Sequence, residues 1–187
     1  MPAKIKITKE MITEAAFEIA RSAGADSINA RTVAEKLNCS TQPILYQFAT
    51  VKDLKKAVYG IADNYHSEYL MKIPENCDGV MLGIGMNYIR FAVDEPHLFR
   101  FLFESDSFGG RTLSELIDAG ELSPVLDAMR GKTGGSIEQV KEIFLSVFLF
   151  VHGYASLIAH NSMKFEEETV RNQLAVTYLG IISSVLW

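Results

Sequence analysis

Apolar residues along this chain recur at the three-to-four-residue spacing of helices, not at the alternation of strands. Ile12, Ala15, Ala16, Ile19 and Ala20 form one stripe, with Thr8 placed to cap its start and Gly24 to stop it. A second helix is predicted after Asn29 and runs to Leu37, with Val33, Ala34 and Leu37 inward. A third covers about 41–48, and a fourth runs from near Lys52 towards Met71. Pro74 and residues 76–79 make a break. A fifth helix carries Val80, Ile84, Tyr88 and Phe91 on one face. Pro96 opens a short helix over 97–103, because a first turn tolerates proline. Gly109-Gly110 reads as a loop, Ser123-Pro124 as a cap with a first-turn proline, and 129–136 (MRGKTGGS) as a flexible loop. A long apolar helix is expected over about 137–160. A last one starts near Glu166, striped by Val170, Leu174, Tyr178, Ile181 and Val185. The run Glu166-Glu167-Glu168 lies at its start, where negative charge favours the helix dipole. No strand pattern or internal repeat recurs, so the predicted fold is all-α with about nine helices. Residues 1–50 are expected to form one domain and 51–187 another.

The 187 residues are 48% apolar and 22% charged, a balance that supports a buried core and excludes wholesale disorder. Two cysteines, Cys39 and Cys77, make no disulfide scaffold and point to a reducing, cytoplasmic setting. The opening MPAKIKITKE has basic residues without an apolar run behind them, so no signal peptide is expected. Ile143 to Ala159 lacks charge but is short for a membrane span and holds His152 and Gly153. A helix buried in a core or a subunit interface explains it more simply, and no membrane partner is expected. Charge is uneven. Residues 1–60 hold nine Lys or Arg against six Asp or Glu, and the remainder nine against seventeen. A basic head on an acidic body suits a nucleic-acid partner.

The informative stretch is 29–48, NARTVAEKLNCSTQPILYQF. Two short helices are joined by a turn at Asn38-Cys39-Ser40. Ala34 lets them approach, Asn38 tolerates the left-handed conformation of a sharp turn, and Cys39 is expected to plug inward. Ile44 and Phe48 form the second helix's inner face. This is the specification of a helix-turn-helix. Ser40 is placed to cap the second helix, and Pro43 is tolerated in its first turn. The outward residues are Thr41, Gln42, Tyr46 and Gln47. A glutamine pairs bidentately with adenine in the major groove, and hydroxyls serve bases or phosphates. With no Lys or Arg on that helix, phosphate attraction falls to Arg31, Lys36, Lys52, Lys55 and Lys56, with Lys4, Lys6 and Lys9 ahead of them.

Residues 8 to 60 resemble the DNA-binding domain of the TetR family of transcriptional regulators. The matching segments are ITEAAFEIARSAGADSINARTVAEKLNCS, STQPILYQF and KDLKKAV. In the body, EPHLFRFLF and VHGYASLI resemble segments of one subgroup. The resemblance implies an all-α homodimer with a small-molecule effector in its body and paired heads on a two-fold double-stranded operator. It implies Thr41, Gln42 and Pro43 at the groove-facing tip, Tyr46 and Gln47 on its flank, and Ser40 in the turn before it. It puts Arg31 and Thr32 near the DNA backbone, and Lys52 at the head of the helix linking reader to body. Three positions depart from the family pattern: Leu45 stands at a usual tyrosine, Val51 at a common lysine and Asn38 at a common glycine.

The body is rich in aromatics at helical spacing, and an apolar pocket with few polar groups is what a small ligand needs. Tyr65, Tyr88, Phe91, Phe103, Phe148 and His152 are the expected pocket residues. Ser146, Gly153, Ser156 and His160 share a helix face suited to close packing on a two-fold mate, with Leu174, Tyr178 and Ile181 on the last helix. The expected function is a ligand-responsive regulator, a repressor released when ligand favours the conformation with the wrong head spacing. The helix after Lys52 is the expected lever. The rival is a small helical carrier or enzyme whose helix pair is only structural. Gly131-Lys132-Thr133 lacks the preceding glycine and strand of a phosphate-binding loop. Asn38-Cys39-Ser40 matches a glycosylation sequon with nothing pointing to secretion. His66, His97, His152 and His160 form no metal motif, and no nucleophile has an activating partner, so neither cofactor nor metal is expected. Cys39 is expected to be a buried structural thiol.

Overall fold

The computed structural model describes residues 6–73, 79–104, 110–120, 122–161 and 163–187. Lys4, Pro74, Cys77, positions 76–78 of the expected break and Gly109 lie outside the described residues. Among the described residues all repetitive structure is helical. The order is α1 (Lys9–Ala23), a 3-10 turn (Ala25–Ser27), α2 (Ala30–Lys36), α3 (Gln42–Gln47), α4 (Val51–Leu70) and α5 (Val80–Asp94). Then come α6 (Pro96–Phe103), α7 (Leu113–Asp118), α8 (Ser123–Thr133), α9 (Ile137–Asn161) and α10 (Glu167–Leu186). The helices fall into two compact units. One holds α1 to α3, α4 as far as Glu68, and α6; the other holds the last residues of α4, α5, and α7 to α10.

In the first unit, α1 starts where Thr8 accepts a hydrogen bond from the Met11 N–H and ends at Gly24. Asn29 caps α2: its Oδ1 accepts from the Arg31 and Thr32 N–H groups at 3.0 and 3.1 Å. Thr32 completes the box by accepting from the Asn29 N–H at 3.2 Å. The turn works as its residues dictate. Asn38 takes a φ of 49°, and the Cys39 N–H donates to the Ala34 carbonyl at 2.9 Å. Cys39 itself is only half-buried, not an inward plug. Ile12, Ala16, Ala20, Val33, Ala34, Ile44 and Phe48 are all buried, which is how α1, α2 and α3 share one core. Ser40 does not cap α3. The helix starts at Gln42 with Thr41 as its N-cap and no side-chain cap bond. Ser40 therefore stands one residue outside the helix start, and Pro43, at the second helical position, has no backbone N–H to offer Thr41.

The same unit contains a polar hub. Glu95, the N-cap of α6, is 6% exposed. Arg21 Nε donates to both Glu95 oxygens at 2.9 Å, and the Tyr65 hydroxyl donates to Oε1 at 2.9 Å. A buried carboxylate needs such satisfaction. The Glu95 partnership holds the Arg21 guanidinium firmly charged.

In the second unit, α9 packs on α5, α8 and α10 through a stripe of Val140, Ile143, Val147, Val151, Ala155 and Ile158. Gly85 lets α5 and α10 close up: a Cβ there would lie 2.8 Å from Leu174 Cδ2. Arg90 pairs with Glu167, and Arg171 joins the same carboxylate, so part of the acidic start of α10 is ion-paired. Two expectations about loops change. Residues 129–133 continue α8, which ends only at Gly134 with φ 68°, the left-handed position a glycine C-cap supplies. α7 is additional, started by reciprocal bonds between Thr112 and Glu115. By length and composition α9 could cross a membrane, and just over a quarter of its most apolar stretch is buried within the chain.

Candidate functional site

The first unit presents α3 on its surface by sealing one side of it. Ile44 and Phe48 are 2% and 5% exposed, while Tyr46 is 87% exposed. Residues three and four apart lie side by side on a helix, so Gln42, Leu45 and Tyr46 share one outward face. Ser40, Thr41 and Gln42 are exposed, and Pro43 and Gln47 half-exposed. The structure therefore brings Ser40, Thr41, Gln42, Pro43, Tyr46 and Gln47 together around a two-turn helix. Lys52 is exposed at the start of α4 and Arg31 at the start of α2. Thr32 lies half-exposed beside Arg31 at the start of α2. Its hydroxyl donates to the Ser27 carbonyl at 2.7 Å and belongs to the α2 cap.

Around this face the charges are mostly basic. Between 29 and 56 stand Arg31, Lys36, Lys52, Lys55 and Lys56 against Glu35 and Asp53. Asp53 is occupied by the Thr50 N–H and hydroxyl at 3.1 and 2.7 Å, capping α4. Lys55 pairs with Asp26 at 3.3 Å. A shallow depression beside the end of α3 is lined by Lys9, Gln47, Phe48, Ala49, Asp53, Lys56 and Ala57. Lys9 Nζ lies 5.1 Å from the Phe48 ring centroid, a cation–π contact that holds one cation at its edge. The pattern of residues foretells the lysines but not this depression, which three separate elements create.

The six expected pocket residues divide between the units. In the first, Tyr65 is engaged with Arg21 and Glu95 and packs edge-on against Phe17. Phe103 lies against His66 and Phe99, ring centroids at 5.2 and 4.9 Å. In the second, Phe144, Phe148 and His152 stack along α9 at four-residue steps, with centroids 6.1 and 5.4 Å apart. Tyr88 meets this ladder edge-on, and its Oη lies 2.9 Å from His152 Nδ1. Burial raises the Tyr88 pKa and lowers that of His152, with His160 adding to the latter, so each group's surroundings favour its neutral form. Phe91 is fully buried against Tyr69. Chemically, the ladder offers a flat apolar wall with one neutral polar pair.

The expected interface residues also separate. Ser146 and Ser156 are half-exposed, and Gly153 and His160 exposed, on the side of α9 away from its buried stripe. The His160 Nδ1–H donates to the Ser156 carbonyl at 2.8 Å. A Cβ at Gly153 would meet nothing within 4 Å. Leu174 is taken up inside the unit at 1% exposure, and Tyr178 and Ile181 lie half-buried on its side of α10. The outward apolar residues of these helices are Leu149 (50%), Leu157 (47%), Val176 (72%) and Leu179 (63%). Leu149, Gly153, Ser156 and His160 are three or four residues apart, hence one face.

No family model matches the sequence, and no curated protein matches it. Among solved structures the chain is similar to the crystal structure of a transcriptional regulator from Rhodococcus sp. Rha1. The TM-score is 0.64 and the identity 14%, covering 95% of this chain and 97% of that one. A likeness of that kind establishes the all-α fold the two share.

Proposed function

We propose that the protein is a DNA-binding transcriptional regulator of the TetR type, a cytoplasmic homodimer that represses from a palindromic operator. The observation that carries this reading is α3: a two-turn helix sealed on one side, with Thr41, Gln42 and Tyr46 held out to solvent. Amides and hydroxyls at a helix tip match the donor and acceptor edges of base pairs in the major groove. The basic surround, Arg31 and Lys52 included, supplies the sequence-independent attraction to phosphates. Lys9 and Lys56 in the depression beside Phe48 add to it.

Two copies pair through α9 and α10. Leu149, Gly153, Ser156, Leu157, Val176 and Leu179 supply an apolar, partly small-residue surface of the kind an isologous contact buries. Ser146 and His160 lie along its α9 side, and Tyr178 and Ile181 at its α10 margin. The effector is a small, uncharged, flat apolar molecule held against the Phe144, Phe148 and His152 ladder with Tyr88. Binding lowers operator affinity by its preference between the two conformations of the dimer.

Selection from a random duplex library with the full chain tests the reading. Enrichment of a palindrome, bound with an affinity that falls steeply as salt rises, is the expected result. A carrier or enzyme with a merely structural helix pair enriches no sequence, and that result contradicts the proposal.

A further inference from the structure

The outward face of α3 contains a residue that neither the amide nor the hydroxyl argument uses. Leu45 is 60% exposed. The inward side of the helix is held by Ile44 and Phe48, at 2% and 5% exposure. Leu45 sits three residues after Gln42 and four after Thr41, so its side chain adjoins both on one helical face. An exposed leucine gains when a partner covers its apolar surface.

The occupant this face suits is fixed by its surroundings. Five basic residues against two acidic ones between 29 and 56 favour a polyanion over an apolar protein partner. In the major groove of a duplex the prominent apolar feature of a base edge is the 5-methyl group of thymine. We infer that Leu45 is a specificity-determining residue that packs on a thymine methyl, next to the base pair read by Gln42. This inference rests on the reading of α3 as the recognition helix. A Gln amide beside a Leu then selects for neighbouring A·T pairs, one recognised through adenine and the other through thymine.

Deoxyuridine tests it, since it removes the methyl and leaves the pairing edge unchanged. In the duplex recovered by selection, each thymine is replaced in turn by deoxyuridine, symmetrically in both half-sites, and the affinity of the full chain is measured. One position is expected to cost about fourfold per half-site, the factor corresponding to burial of one methyl-sized apolar group. Leu45→Ala is expected to bind the thymine duplex more weakly by a similar factor and to lose the distinction between thymine and uridine at that position. Indifference of the unaltered protein at every thymine overturns the inference without recourse to any variant. So does a Leu45→Ala protein that keeps full discrimination. A selection that enriches no duplex fails earlier, and contradicts the reading of α3 itself.

Discussion

His66 is 7% exposed in the first unit, and burial pushes its pKa down to about 4 from the usual 6.5. A histidine depressed on folding takes its proton more readily in the unfolded chain. Its contribution is therefore intact above about pH 6.5 and is lost as pH falls towards about 4. The shift corresponds to as much as about 3 kcal/mol. Denaturant titrations of His66→Leu across pH 4–7 are expected to show a shallower decline than those of the unaltered chain; parallel declines contradict the assignment. Position 66 continues the four-residue steps of Leu54, Val58 and Ala62 on the inner face of α4, but the sequence around it does not foretell the depressed pKa. Nor does local sequence reveal Glu95, whose partners Arg21 and Tyr65 lie 74 and 30 positions away. Side chains that meet only through tertiary packing leave no periodic trace, so Tyr65 reads from sequence as a pocket aromatic and not as a partner of Glu95.

At the scale of elements, local chemistry was the most legible. Thr8, Gly24, Asn29 and Pro96 mark helix ends because each acts on backbone groups within a few positions of itself. The same logic was available for α7, since Thr112 and Glu115 have the spacing of a capping box. Glycine misled at 129–133: Gly131 costs a helix only about 1 kcal/mol, and α8 runs through it to the cap at Gly134. Ser40 misled because the helix starts one residue later than the pattern suggests, with Thr41 at its N-cap. The Asn29 box joins Ser27, Thr32 and the start of α2, one helix before α3. Asn29→Ala is expected to cost about 1 kcal/mol of unfolding free energy, measured by denaturant titration, while leaving the α3 side chains in place. A loss near zero contradicts the importance of that cap.

For the molecule as a whole, the division of charge and the all-α fold were legible because both are sums over many residues. Burial on α10 was not. A helix with apolar residues around most of its circumference does not reveal which side the chain itself covers. Leu174 belongs to the interior and Val176 to the outside. A dimer that pairs through the outside separates when charge is placed there. Val176→Glu combined with Leu157→Glu is expected to sediment as a helical monomer; an unchanged dimer contradicts the pairing surface.

The central claim concerns the tip of α3, and its most direct measurement is a ratio. Affinity for the selected palindrome, divided by affinity for a scrambled duplex of the same length, is compared between the unaltered protein and Gln42→Ala/Tyr46→Ala. A good bidentate base contact contributes about 1–3 kcal/mol of discrimination in each half-site. The double variant is therefore expected to lower the ratio about 30-fold or more, leaving the share that Leu45 supplies, while keeping its dimer mass and thermal stability. A ratio that survives the two substitutions contradicts the account.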